Sequence, residues 1–78
     1  MISLIVNNLN RKINEKYPML NAKASYNKNY ILVRFNNPDK LTIRYTCDYV
    51  YYNCIGSQEI MSDAIDRYRR FILKKYFN

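Results

Sequence analysis

Residues 45–54, "YTCDYVYYNC", hold both cysteines of the chain and four of its nine tyrosines. Paired thiols can form a disulfide or ligate a metal, and a single thiolate can attack a substrate. If residues 49–54 form a strand after a turn at Cys47 and Asp48, the two cysteines lie about 20 Å apart at 3.3 Å per residue. A disulfide needs Cα atoms within about 7 Å, so only a wide loop over 48–53 would let them meet. Zinc takes four ligands, commonly Cys and His, and the chain has no histidine. Two cysteines could complete such a site only across a dimer. The expectation is no metal, no cofactor, and two free thiols serving as small apolar residues.

The tyrosines point elsewhere. With 49–54 as a strand, Val50, Tyr52 and Cys54 share one side and Tyr49 and Tyr51 the other. Val50 and Tyr52 are expected inward, with Tyr45 as core. Tyr49 and Tyr51 then join Tyr30, Arg34 and Arg44 on an open face. Such a face suits base stacking, worth about 1–3 kcal/mol per base where it occurs. It equally suits a protein interface, where Tyr and Arg are enriched anchors. Tyrosine also covers sheet surface with no partner at all, because it favours strands.

Catalytic chemistry has little to work with. The commonest general base is missing, and neither cysteine has an activating partner visible in sequence. The six carboxylates are scattered, without the spacing of a paired-carboxylate or metal-dependent site. No phosphate-binding or dinucleotide-binding fingerprint is present. The expectation is a protein that is not an enzyme and acts by binding, with a histidine-free ribonuclease toxin as the residual alternative.

The elements that would position these residues follow from periodicity. Residues 3–17 place Ile5, Val6, Leu9, Ile13 and Tyr17 at three- and four-residue steps, an amphipathic helix. Asn7, Asn10, Arg11 and Asn14 fall outside that stripe. Ser3 is the candidate N-cap, and Pro18 disfavours helix at Tyr17. Strands are expected at 20–27, 29–36, 40–46 and 49–54. In the second, Ile31, Val33 and Phe35 alternate with Tyr30, Leu32 and Arg34; in the third, Leu41, Ile43 and Tyr45 alternate with Thr42, Arg44 and Thr46. Asn37, Pro38 and Asp39 between them read as a type I turn. A second helix, 57–76, follows Gly56 with Ser57 as N-cap and Ile60, Ala64, Ile65, Tyr68, Phe71 and Ile72 as its stripe.

The sum is an α+β domain of two layers, α-β-β-β-(β)-α. An antiparallel sheet carries both helices on its Ile31/Val33/Phe35 face, and Lys23, Tyr30, Leu32, Arg34, Thr42 and Arg44 lie on the other. Seventy-eight residues make a single domain, 1–78, too short for two cores.

The net charge is +7, spread along the chain. Such proteins favour polyanions: nucleic acid, acidic proteins or anionic surfaces. The densest cluster, "RYRRFILKK", sets Arg67, Arg70 and Lys74 on one helical face, a row about 10 Å long at 1.5 Å per residue. That row is either a phosphate-binding stripe or a solvated face part-neutralised by Asp63 and Asp66. No run approaches the ~18 apolar residues of a membrane span, and "MISLIV" is too short for a signal-peptide core. The expected location is a cytoplasm, that of a host if the chain is viral.

Two families share this order of elements. Double-stranded RNA-binding domains carry a lysine-rich motif at the start of their second helix, where this chain has the acidic "SQEIMSD". The run "ILVRFNNPDKLTIRYT", residues 31–46, resembles the central hairpin of small phage-encoded anti-CRISPR proteins of the type II class, in which an apolar "LIIRVNN" strand leads into a turn between flanking helices. That resemblance implies a non-enzymatic inhibitor that binds a host defence complex stoichiometrically. The relative is strongly acidic and imitates DNA, so at +7 neither DNA mimicry nor any functional residue carries over. A basic inhibitor would meet an acidic host protein or the guide RNA of a nucleoprotein. The alternative function is a small basic module binding DNA or RNA through Tyr30, Arg34, Arg44 and Tyr49 with the Arg67/Arg70/Lys74 row. A homodimer formed through the tyrosine-rich sheet is also open to the chain.

Overall fold

In a computed structural model, which describes residues 1–77, the chain forms α1 (Ile2–Lys16), a short 3-10 turn (Pro18–Leu20), β1 (Lys23–Tyr26), β2 (Tyr30–Phe35), β3 (Leu41–Thr46), α2 (Cys47–Tyr52) and α3 (Ser57–Phe77). The α+β class and the antiparallel sheet, in the order β1-β2-β3, agree with the sequence expectation.

Val6, Leu9 and Ile13 of α1 are buried at the expected spacing. The helix starts one residue earlier than predicted, with Met1 rather than Ser3 at its cap. It stops where Pro18 demands, at Tyr17 with φ −133°. Proline then opens the 3-10 turn, and Asn21 leaves it in the left-handed region at φ 49°, which asparagine tolerates better than most residues. That turn absorbs Leu20 and shortens the expected 20–27 strand to Lys23–Tyr26.

β1 and β2 join through Asn27, whose side-chain oxygen accepts from the N–H groups of Asn29 (2.8 Å) and Tyr30 (2.9 Å), an Asx-type turn. Between β2 and β3 the Asn37–Pro38 peptide is cis, and residues 37–39 run as bends with no hydrogen-bonded turn. Tertiary bonds shape it instead. Asn37 Nδ2 donates to the Met19 carbonyl (2.7 Å), and the Tyr68 hydroxyl donates to the Asp39 carbonyl (2.6 Å) while accepting from the Asp39 N–H (3.0 Å).

The fourth strand predicted at 49–54 does not exist. Residues 47–52 are helical, and the cause is local. Thr46 leaves β3 extended, at φ −67° and ψ 140°, and its Oγ1 accepts from the Tyr49 N–H at 3.1 Å. This is an N-cap, and Asp48 adds a carboxylate to the positive first turn. The helix ends in a Schellman arrangement: the Ile55 N–H bonds the Val50 carbonyl and the Cys54 N–H bonds the Tyr51 carbonyl. Cys54 sits at φ 53°, the left-handed position that glycine usually fills. Val50 is buried as expected, but Tyr52, predicted inward, is 78 % exposed.

α3 begins after Gly56, whose N–H donates to the Glu59 carboxylate at 2.9 Å. That is the reciprocal half of a capping box, with Gly56 rather than Ser57 in the cap position. Ile60, Met61, Ala64, Ile65 and Tyr68 face inward. They meet α1 and the lower sheet face of Ala24, Ile31, Val33, Phe35 and Tyr45 in one buried cluster. Phe35 and Tyr68 stack at 4.2 Å between ring centroids, 6° from parallel. Both long helices thus cover one side of the sheet, and its other side is left open.

Candidate binding face

The register arranges the open face as a grid. Lys23 stands opposite Arg34, which stands opposite Thr42; Ser25 stands opposite Leu32, which stands opposite Arg44; Tyr30 stands opposite Thr46. Leu32 is at the centre, half-buried among polar neighbours. Directly opposed side chains of such a grid sit about 5 Å apart and diagonal ones about 7–8 Å. The Arg44 guanidinium lies over the Tyr30 ring, 5.6 Å from its centroid, a cation–π contact. Arg34 Nη1 donates to Ser25 Oγ at 3.1 Å.

No carboxylate belongs to this face. Among the described residues, Lys23, Arg34 and Arg44 form no ion pair. The acids nearest in sequence lie elsewhere: Asp48 stands in the first turn of α2 and borders a groove with Met1 and Ile2, and Asp39 accepts from the Tyr76 hydroxyl at 2.6 Å and pairs with Lys75 at 3.1 Å. The Tyr76 bond holds the Asp39 carboxyl below its usual range, with Lys75 adding to it against a smaller opposing effect of burial.

The α3 row differs. Arg67 is bonded to Asp63 at 2.8 Å and Arg70 to Asp66, each one helical turn away. Lys74 continues the row, near the helix C-terminus where a cation offsets the macrodipole. Asp63 also accepts from the buried Tyr45 hydroxyl at 2.6 Å. Burial would raise the Asp63 carboxyl, but the bonds from Tyr45 and Arg67 and the charges of Arg67 and Arg70 outweigh it and hold the group below its usual range. Burial, and then the bond to Asp63, push the Tyr45 phenol far above the usual tyrosine range. These groups are spent on each other.

Of the eight residues expected to make contacts, only Tyr30, Arg34 and Arg44 share the sheet face. Tyr49 and Tyr51, predicted beside them, are carried off by α2. Tyr49 instead borders a small cavity of about 230 Å³ with Tyr45, Asp63 and Arg67. Tyr51 and Tyr52 meet edge to face, 5.5 Å between centroids, at the mouth of an apolar groove beside Met1, Ile2 and Ile5. Arg67, Arg70 and Lys74 belong to the helical layer. Both cysteines are free thiols, Cys54 exposed and Cys47 partly buried.

Asn10 escaped the sequence reading, which set it outside the helix stripe. Its Oδ1 accepts from the Ala24 N–H (2.7 Å) and its Nδ2 donates to the Ala24 carbonyl (2.9 Å). The signal was present: Asn10 is four residues after Val6 and three before Ile13, on the buried side.

No family model, curated protein or solved structure matches this chain. Among the described residues, no helix is long and apolar enough to cross a membrane.

Proposed function

We propose that this protein acts by binding and not by catalysis, and that its open sheet face docks one acidic macromolecular target. The leading reading is a phage- or mobile-element-encoded inhibitor that binds a host defence complex of the CRISPR type stoichiometrically in the host cytoplasm. The anti-CRISPR-like hairpin and its flanking helices supply the class of target. The carboxylate-free grid supplies the contact surface, and that is the observation carrying the proposal. An apolar centre, Leu32, ringed by Tyr30, Arg34, Arg44 and Lys23 has the composition of an interface core with its rim.

A nucleic-acid-binding module is the second reading, favoured by three cations with no internal anion. The removal of Tyr49 and Tyr51 from the face counts against it. One tyrosine remains, already under Arg44, where a stacking platform uses successive aromatics.

Titration against labelled single- and double-stranded DNA and RNA, at low and physiological salt, separates the two. The inhibitor reading predicts little affinity for naked polymer at physiological salt. It also predicts that cleavage by a type II effector nuclease with its guide RNA falls to zero near one protein per complex. Tight polymer binding instead, with log affinity falling about 0.9 per neutralised phosphate against log salt on duplex DNA, would replace it with the second reading.

A further inference from the structure

The two edges of the sheet are treated differently, and the difference defines a docking site. An antiparallel ladder alternates residues whose backbone groups point into a neighbouring strand with residues whose groups point away. The Asn27 N–H bonds the Tyr30 carbonyl (2.9 Å) and the Cys47 N–H bonds the Asn29 carbonyl (2.8 Å). With the register of β2 and β3, these bonds turn the backbone of Leu41, Ile43 and Tyr45 toward β2, and that of Thr42 and Arg44 outward. On β1 the outward groups of Ala24 are both taken by the Asn10 amide, which stands where another strand would. On β3 the outward N–H and C=O of Thr42 and Arg44 meet no protein partner among the described residues, and both residues are exposed. Unpaired edge groups are a template for another strand.

We infer that the β3 edge takes an extended segment of a protein partner in which acidic and apolar residues alternate. An added strand places alternate side chains on the two faces of the sheet. Those on the open face lie beside Thr42 and Arg44, next to the carboxylate-free cationic grid, and favour Asp or Glu. Those on the other face lie beside Leu41 and Ile43, which are only half-buried at this margin, and favour Val, Ile or Leu. A second copy of the chain is the poorer occupant. Pairing two β3 edges would gather the Arg44 rows of molecules that each carry +7, and like charges facing across strands destabilise a pair. The inference rests on the protein-target reading above and adds the contact that reading lacks.

The test uses the intact protein and a capped heptapeptide of alternating glutamate and valine, followed by amide NMR. Binding is expected to shift the Thr42 and Arg44 amides and slow their exchange, leaving Ala24 unmoved. Methylating the peptide nitrogens that face β3 is expected to weaken binding about tenfold or more, since each removes a ladder bond. Thr42→Pro should do the same with the sheet intact, because its N–H points outward, the edge position where proline is tolerated. The methylated peptide needs no change to the protein, so it decides the matter if that variant fails to fold. Equal binding of parent and methylated peptides would overturn the edge ladder while sparing the cationic face. Protection of the same amides without peptide, in a dimer by sedimentation, would give the edge to a second copy and overturn the inference. Failure to bind the peptide alongside tight, salt-sensitive RNA or DNA binding would overturn both this inference and the protein-target reading.

Discussion

β2 and β3 carry two unlike surfaces on one backbone. Below, Ile31, Val33 and Phe35 are buried essentially completely and bind the sheet to α1 and α3. Above, Tyr30, Leu32 and Arg34 face Thr46, Arg44 and Thr42, and their polar contacts, Arg34 to Ser25 and Arg44 over Tyr30, stay within that face. The period of two separates what holds the domain together from what it can offer a partner. Charge obeys the same division. On α3, Arg67 and Arg70 are matched by aspartates one turn away; on the upper sheet face, Arg34 and Arg44 form no ion pair among the described residues. Where a cation is left uncompensated says more about binding than where cations are densest.

The sharpest way to break this division is at Phe35. Phe35→Ala removes a fully buried ring stacked on Tyr68 and should cost about 3–5 kcal/mol. That is a large share of the roughly 5–15 kcal/mol available to a domain, and urea unfolding would register it as a collapse of the midpoint. On the upper face the ranking reverses. Arg34→Ala with Arg44→Ala should weaken target binding about tenfold or more while unfolding shifts by no more than about 0.5 kcal/mol. Loss of stability without loss of binding would mean that the two faces had been assigned the wrong way round.

Tyr45→Phe probes the seam between sheet and α3. It should cost about 1 kcal/mol at neutral pH by leaving the part-buried Asp63 without one donor, and leave binding unchanged. It should also reshape the pH profile. Because the folded-state pKa of Tyr45 is raised, its contribution is full below the unfolded value near 10 and lost as pH climbs above it. Because that of Asp63 is lowered, its contribution is present above about pH 4 and lost as pH falls through the depressed value. The variant should lose the alkaline limb and soften the acid one, as read by thermal unfolding across pH. The smallest effect belongs to the helical row. Arg70→Ala removes one exposed i,i+4 pair worth about 0.5 kcal/mol or less, and binding should change less than about twofold. A larger binding loss there than at Arg34 would move the site to α3.

Much of this arrangement could be read from sequence wherever one physical signal acted alone. The alternation through 30–35 and 41–46 gave both strands and both faces, and the three- and four-residue steps gave the two long helices. Reading failed where two signals competed. In 47–54 the strand propensity of Tyr and Val opposed a cap made by Thr46 and Asp48, and the cap prevailed because it satisfies backbone donors that the alternation does not. Tyr49 and Tyr51 left the predicted site for that reason alone. The Asn37–Asp39 loop was beyond local reading because its shape is fixed by Met19 and Tyr68, distant in sequence. The open β3 edge was equally hidden, since which strand is an edge depends on pairing and not on pattern.

The central claim, that the upper sheet face is the binding surface, is tested most directly by site-specific photo-crosslinking. A photoreactive amino acid at position 32, the centre of the grid, and in a separate variant at position 70, on the helical row, would be activated in host extract containing the defence complex. The account predicts a covalent protein adduct from position 32 and none from position 70. An adduct from position 70 alone would contradict it.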